Sequence, residues 1–258
     1  MEATHMRRGV SPVSAAAHVL FGLVFSMAAF AQSTAGNTGS EPGKAWSAIA
    51  NLPNFVGVWE VTRNRAGTGQ PAAISLTPKY EAMRKDYLAN PPQDNPSANC
   101  VPPGMPDIMR QPYPIEFLFT PGKVTILIEA YMQIRHIYTD GRKHPDDSDL
   151  TYNGNSIGHW EGDTLVVDSV GFTPDTPLAA QGLRHSDKMH IVERMHLLDA
   201  NTLEITTTIE DAEALATPFT RTATFARHSD WTMAEYICQQ NNRNFVDEKG
   251  KAGINLTR

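Results

Sequence analysis

The chain lacks several features that mark common protein classes. It has only two cysteines in 258 residues and no CxxC pair, so a cysteine metal site is not expected. It contains no glycine-rich phosphate loop and no GxSxG motif, which argues against a nucleotide-binding fold and an α/β-hydrolase nucleophile. Its 22 basic residues are outnumbered by 28 acidic ones and form no cluster, so no nucleic-acid partner is expected.

Long apolar runs are also missing, except near the N-terminus. There, two arginines precede an apolar stretch over residues 15–30, and Ala29-Phe30-Ala31 forms a small-x-small cleavage site. This pattern predicts a signal peptide over residues 1–31 and a mature chain in the periplasm or outside the cell. A membrane anchor is the alternative, but the stretch is short against the ~20 residues that a span requires. We therefore expect no membrane partner after cleavage.

The rest of the chain is predicted to be a tether and one domain. Residues 32–44 are mostly Gly, Ser, Thr and Asn, so we place a flexible tether at 32–50 and a single domain at 51–258. Within the domain, Cys100 and Cys238 form an even pair, and an oxidising compartment favours a disulfide between them. Two free buried thiols are the alternative.

Short strands separated by turn signals make up most of the domain. The predicted strands are 55–61, 115–120, 123–130, 133–139, 156–160, 164–170, 189–198, 202–210, 219–227 and 233–239. One helix is predicted from the N-cap Thr77 and Pro78 to the position before Pro91, and the proline-rich stretch 90–114 is predicted to be an ordered loop. Many antiparallel strands must close or stack to remove their edges, so a barrel or a sandwich is expected.

Charged residues on apolar strand faces favour the barrel. Glu193 lies on the apolar face of strand 189–198, and Arg135 lies on the apolar face of strand 133–139. A sandwich has a solid core, whereas a barrel more readily encloses a cavity that contains polar groups. We therefore predict an all-β fold, a single antiparallel β-barrel of about ten strands with one short helix and a Pro-rich loop.

Five motifs are spread over residues 100–242, a span that takes in most of the predicted mature chain. They are CxPxGxP at 100–106, RxIxxDGRxHP at 135–145, NGxSIGxWEGDTLVVD at 153–168, HSxxxHxxER at 185–194 and EYxCxxNN at 235–242. Together they resemble a large family of uncharacterised exported bacterial proteins, which implies a secreted protein of β-barrel type. Gly57 and Trp59 resemble the Gly-x-Trp signature of lipocalin-like (calycin) barrels. That resemblance implies that Trp59 closes one barrel end and packs on an arginine of a late strand, here Arg227.

Three residues are predicted as a catalytic set. His185 precedes the strand that carries Glu193, and a histidine with a carboxylate in a low-dielectric site makes an acid-base pair. Arg135 is available to hold an anionic or carbonyl oxygen. The alternative is that Glu193 and Arg135 form a buried ion pair that locks the barrel, with His185 as an ordinary loop residue.

The histidines also suggest a metal site. His185 and His190 are close enough in sequence to join His144 or Asp187 at one ion. The chain has no HxH or HExxH spacing, however, so we expect no metal and no cofactor.

Two classes of function follow from the predicted barrel. The first is a protein that binds a small hydrophobic or aromatic molecule in an interior cavity, with Tyr138, Tyr152, Trp160 and His190 as candidate binding residues. The alternative is a cofactor-independent lyase, isomerase or hydrolase that acts on such a molecule through the His/Glu pair. The sequence leaves the ligand and the oligomeric state open.

Overall fold

A computed structural model describes six ranges of the chain. These are residues 45–62, 74–92, 96–147, 149–241, 244–246 and 252–254, all within the unit that spans Gly39–Arg258. The predicted signal peptide and most of the predicted tether lie outside the described residues. At the end of the tether region, Trp46–Ile49 form one turn of 3-10 helix. No helix in the described ranges is long and apolar enough to cross a bilayer.

The described strands form an all-β barrel, as predicted. In chain order the strands are β1 (Gly57–Val61), β2 (Ile115–Thr120), β3 (Lys123–Ile128), β4 (Gln133–Tyr138), β5 (Asn155–Glu161), β6 (Thr164–Val170), β7 (Pro177–Ala179), β8 (Leu183–Arg184), β9 (His190–Asp199), β10 (Thr202–Glu210), β11 (Phe219–His228), β12 (Asn244–Val246) and β13 (Ala252–Ile254). Nine of them close the barrel, whereas β7 with β8, and β12 with β13, form two-stranded sheets. For the nine barrel strands, predicted and observed bounds agree to within two residues.

One pairing in the barrel departs from the antiparallel arrangement that we predicted. The order around the barrel is β1-β11-β10-β9-β6-β5-β4-β3-β2, with β2 returning to β1. Every neighbouring pair is antiparallel except β4 and β5, which are parallel and joined by only two residue pairs. A tight turn at Asp140-Gly141 would have produced an antiparallel hairpin. Instead, the connection 139–154 is long enough to cross back to the start of β4.

Apolar side chains fill the barrel interior. Fully buried residues from neighbouring strands, among them Phe117, Ile126, Leu165 and Met195, belong to one hydrophobic core. Each comes from the inward-facing set of an alternating strand, which is why the period-2 pattern predicted these strands. The interior is therefore mainly a packed core.

Trp59 on β1 and Arg227 on β11 are paired residues of neighbouring strands and stack on each other. Trp59 on β1 is fully buried, and its indole N–H donates to the carbonyl of Phe55 at 2.8 Å. The Arg227 guanidinium lies 4.4 Å from the centroid of the Trp59 ring and donates to the carbonyls of Asn54 and Val56. This cation-π contact is the one that the Gly-x-Trp resemblance led us to expect.

Helix α1 (Pro78–Ala89) is confirmed, but its predicted side-chain cap is not. The Thr77 hydroxyl donates to the carbonyl of Glu213 at 2.7 Å and makes no cap hydrogen bond to the helix. The backbone N–H of Thr77 donates to the carbonyl of Ala214. The helix therefore begins by docking on the turn between β10 and β11.

The proline-rich stretch is anchored at two places. The predicted disulfide is present between Cys100 and Cys238, whose Cα atoms are 5.7 Å apart. Further along, Arg221 on β11 donates to the carbonyl of Pro106 at 3.1 Å, and its guanidinium lies 3.5 Å from the carboxylate of Asp107. These contacts hold the stretch against the barrel, in agreement with the prediction of an ordered loop.

The predicted strand 233–239 is wrong. Its residues form no strand, and Cys238–Asn241 form the short helix α2. The backbone N–H of Ala234 donates to the Glu129 carboxylate at 2.9 Å, and the ring of Tyr236 packs against neighbouring tyrosines. Side-chain contacts and the disulfide therefore anchor this segment in place of a strand ladder.

Candidate functional site

A groove opens in the barrel wall where β4 and β5 separate. Its volume is ≈ 370 Å³, within the range of small-molecule sites. It is lined by Gln133, Ile134, Arg135, His136, Tyr138, Thr151, Tyr152, Asn153, Gly154, Asn155 and Ser156. The only residue pairs that join the two strands are Ile137 with Ser156 and Tyr138 with Ile157. On the N-terminal side of these pairs, β4 and the segment 151–155 that leads into β5 face each other across the groove.

Two of the four predicted ligand-binding residues, Tyr138 and Tyr152, line this groove, and both are half-buried. The Arg142 guanidinium lies 3.8 Å from the centroid of the Tyr138 ring. Asp140 holds that guanidinium with two hydrogen bonds of 2.9 and 2.6 Å, which keep the pKa of Asp140 below its usual value. Two tyrosines therefore line the groove, and the Tyr138 ring is held in place by Arg142, whose charge Asp140 neutralises.

Asn153 contributes a buried acceptor that has no partner. Its Nδ2 donates to the Gln133 side-chain oxygen at 3.2 Å and to the carbonyl of Ile134 at 3.4 Å. The Gln133 Nε2 donates in turn to the carbonyl of Tyr131 at 3.2 Å, so carbonyl acceptors set the orientation of both amides. The Asn153 Oδ1 atom is buried and accepts no hydrogen bond from the described residues.

Arg135 contributes a buried donor that has no partner. Its side chain is only 1% exposed. The Nε and Nη2 atoms donate to Ser156 at 3.3 and 3.2 Å, and Nη2 also donates to Ser169 at 3.1 Å and to Glu193. The Nη1 atom is buried without a hydrogen-bond partner among the described residues. A buried polar group in this state costs about 1–3 kcal/mol, so two such groups at one groove require an explanation.

Arg135 and Glu193 form a buried ion pair, as the alternative interpretation proposed, and both side chains are 1% exposed. Glu193 lines a second pocket, beneath Pro106 and Met109 of the proline-rich stretch. That pocket has a volume of ≈ 10 Å³, about the space of one water molecule. Of these two pockets, the one at Glu193 is too small for a ligand, and the groove that Arg135 lines is the larger.

Both imidazole nitrogens of His185 have hydrogen-bond partners other than Glu193. His185 Nδ1 lies 2.7 Å from the carbonyl of Ser186, to which it donates, and Nε2 lies 2.9 Å from the Thr176 hydroxyl. Burial lowers the pKa of His185, although the Ser186 hydrogen bond acts in the opposite direction. His185 and Thr176 are 2% and 1% exposed, so a substrate has no direct access to either side chain. This arrangement fits a structural role.

The other two predicted ligand-binding residues lie outside the groove lining. Trp160 packs inside the barrel, with ring centroids 5.4 Å from Phe55 and 5.9 Å from Phe119. His190 begins β9, is about one-third exposed, and takes part in a row of hydrogen bonds on the barrel wall. Core packing therefore accounts for Trp160.

The row that contains His190 starts at the groove. Asn155, which lines the groove, lies 2.7 Å from His144 Nδ1, and His144 Nε2 donates to Asp168 at 2.9 Å. Asp168 also accepts from His190 Nε2 at 3.1 Å, and His190 Nδ1 lies 3.4 Å from Glu210. Partial burial opposes ionisation of Asp168, but the two histidine hydrogen bonds outweigh it and hold its pKa below the usual value. This row orients Asn155 at the groove edge.

Sequence reasoning missed Asn153 and Asp168. Asp168 was detectable as the charged residue on the outer face of a β-branched strand, whereas nothing local to Asn153 indicates an unused acceptor.

Within the described ranges, no group of three or more His, Cys, Asp or Glu residues is arranged to hold a metal ion.

No protein-family model matches this chain, and no curated protein matches it. The barrel and its groove are therefore the basis on which a function is assigned.

Proposed function

We propose that this protein is an exported binding protein that holds a small molecule with an aromatic or hydrophobic part in the groove between β4 and β5. The observation that carries the proposal is the groove of ≈ 370 Å³, whose lining includes two tyrosines together with Arg135 and Asn153, each of which has a buried hydrogen-bonding atom without a partner among the described residues. Small-molecule sites combine aromatic side chains with placed polar groups; this lining has both, with polar residues in the majority.

The geometry favours binding over catalysis. General acid-base catalysis requires a proton-transferring group within hydrogen-bond reach of the substrate, directly or through one water. His185 is buried against Thr176 and Ser186, and Glu193 is committed to Arg135. Neither residue of the His/Glu pair is presented to a ligand in the groove.

Export is supported by two independent features. The N-terminal pattern is that of a signal peptide, and the disulfide between Cys100 and Cys238 suits an oxidising compartment. We expect the protein isolated from its host to begin at Gln32 and to contain no free thiol, as measured by intact mass before and after reduction. A cytoplasmic product with an intact leader and two free thiols would contradict export.

We also propose kinship with the exported family whose five motifs the chain resembles, and with lipocalin-like barrels. The stack of Arg227 on Trp59 supports the second resemblance. The parallel pairing of β4 with β5 is a departure from the up-and-down barrel of lipocalins.

The proposed binding site is tested by a substitution that fills the groove with a larger side chain. Ile134 lines the groove and is 53% exposed, so Ile134→Trp adds a large ring there without disturbing the core. Leu198 is also 53% exposed but lies on β9 outside the groove lining, which makes Leu198→Trp a matched control. A library of small aromatic molecules is screened by NMR against the ¹⁵N-labelled mature protein.

We expect bound molecules to shift the backbone amides of Tyr138, Tyr152 and Asn153. Ile134→Trp should weaken their binding at least tenfold, and Leu198→Trp should leave it unchanged. The proposal fails if the shifts centre on Glu193 and Met109 at the small pocket, if both tryptophan variants bind equally well, or if no molecule binds.

A further inference from the structure

The groove has almost no uncompensated charge. Arg135 is the only formally charged side chain in its lining, and Glu193 neutralises it. The Arg142 cation that stacks on Tyr138 is neutralised by Asp140. His136, which also lines the groove, is held toward its neutral form, because burial and the nearby Lys123 lower its pKa. The lining residues themselves thus offer an anionic ligand no free positive charge to repay its desolvation.

Two residues of the groove lining nevertheless carry one buried donor and one buried acceptor without partners among the described residues, Arg135 Nη1 and Asn153 Oδ1. The hydrogen bonds of Asn153 to Gln133 and Ile134 fix Oδ1 as an acceptor. Arg135 Nη1 is a donor in every state of the side chain. A ligand that pairs both atoms therefore needs an acceptor for the arginine and a donor for the asparagine.

We infer that the groove selects a neutral, planar ligand that carries both a hydrogen-bond donor and an acceptor next to an aromatic ring, as an aromatic carboxamide or lactam does. This inference rests on the proposed binding function and narrows it to a chemical class. Carboxylates are disfavoured because no lining residue carries a free positive charge, and simple ketones are disfavoured because they leave Asn153 Oδ1 unpaired.

The ligand reaches the two atoms through the gap between β4 and β5. Both atoms are buried and belong to residues that line the groove, and only two residue pairs hold the strands together. A small widening of this parallel contact would expose the two atoms. The antiparallel contacts on either side are more extensive, with six residue pairs between β3 and β4 and seven between β5 and β6. Binding should therefore be accompanied by local changes at the ends of β4 and β5.

Four probes of similar size separate the chemical requirements. Benzamide is neutral and has a donor and an acceptor, acetophenone has only an acceptor, benzoate is an anion, and N,N-dimethylbenzamide is an amide without a donor. Dissociation constants are measured by NMR titration of the mature protein. We expect benzamide to bind about tenfold or more tightly than each of the other three, which corresponds to about 1.4 kcal/mol.

A variant identifies the atom that recognises the donor. Asn153→Leu keeps the approximate shape of the side chain and removes Oδ1, so benzamide should lose its advantage over acetophenone. If this variant does not fold, the comparison of benzamide with N,N-dimethylbenzamide in the unmodified protein still tests the same hydrogen bond.

The outcomes distinguish the inference from the function on which it rests. If benzoate or acetophenone binds in the groove as tightly as benzamide, the inference is wrong and the groove remains a binding site. If the advantage of benzamide persists in folded Asn153→Leu, Asn153 is not the acceptor and the inference is also wrong. If none of the probes shifts groove amides and the library yields no groove ligand, the proposed function fails as well.

Discussion

The surroundings of His185 and the groove between β4 and β5 are both rich in polar groups, but they differ in how those groups are satisfied. Around His185, each imidazole nitrogen has a protein partner, and the neighbouring Ser186 is held by Asp211 through hydrogen bonds of 2.6 and 2.8 Å. In the groove, Arg135 Nη1 and Asn153 Oδ1 have none among the described residues.

This difference separates a structural cluster from a candidate binding site. Residue type alone favoured His185, because histidine is the usual acid-base residue. The unpaired hydrogen-bonding atoms favour the groove as the binding site. A buried polar group without a partner costs stability unless a ligand or a water molecule forms the missing hydrogen bond. A cluster whose polar groups already hydrogen-bond to one another has few free donors or acceptors for a ligand.

The largest expected effect concerns the buried ion pair of Arg135 with Glu193. Arg135→Met or Glu193→Leu alone should lower the free energy of unfolding by about 3 to 5 kcal/mol, because the remaining charge is left buried and unpaired. The double variant should recover much of that loss. Urea denaturation of the four proteins measures the cycle.

The exposed pair of Arg194 with Glu161 is the matched control for this cycle. Its atoms are 2.9 Å apart and both side chains are 49% exposed, so its coupling energy should be at most about 1 kcal/mol. Strictly additive losses for Arg135 and Glu193 would mean that the two side chains do not interact.

An intermediate effect is expected at Gly104, which lies between the two regions. A Cβ atom there would be 2.5 Å from Thr176 Cγ2, beside His185, and 2.8 Å from the carbonyl of Tyr152 in the groove. Gly104→Ala should therefore destabilise the protein by about 2 to 4 kcal/mol, through left-handed strain and overpacking together. It should also weaken ligand binding, because Tyr152 must move.

Gly162→Ala is the control for backbone strain. Gly162 has φ +63° against +69° at Gly104, but a Cβ atom at Gly162 meets nothing within 4 Å. Its cost should be only the left-handed strain, about 1 to 2 kcal/mol. Equal losses in thermal or urea unfolding for the two variants would show that Gly104 is not tightly packed.

The smallest effect is the pH dependence at His185. Because its pKa is lowered in the folded protein, the unfolded state binds the proton first as pH falls, and stability is lost below the unfolded value of about 6.5. The slope for one proton is at most about 1.4 kcal/mol per pH unit, and the loss levels off below the folded pKa. His185→Asn keeps a donor for Ser186 and cannot titrate.

Urea unfolding between pH 7.5 and 5 compares that variant with the unmodified protein. The unmodified protein should lose more stability over this range than His185→Asn. Parallel profiles would mean that His185 is not held neutral by burial.

Much of the barrel was predictable because its strands carry a local signal. Thr202–Glu210 alternates apolar and polar residues, and its bounds and burial agree with the prediction. The segment 233–239 was mispredicted because its apolar residues contact other parts of the protein rather than a neighbouring strand. The groove itself was not predictable, since only Tyr138, Tyr152 and Arg135 of its lining were singled out from the sequence, and for different roles.

The sequence by itself determined the positions of the nine barrel strands, their alternating faces and the helix, because period-2 alternation and turn residues are local signals. It favoured a disulfide between the two cysteines but left two free thiols open. Tertiary structure alone decided that β4 and β5 run parallel, that a groove opens between them, and which polar groups remain unpaired. Arg135 shows the reason: its hydrogen-bond partners Ser156, Ser169 and Glu193 lie 21, 34 and 58 positions along the chain. Whether a buried group is satisfied depends on such distant neighbours, which only the closed barrel brings together.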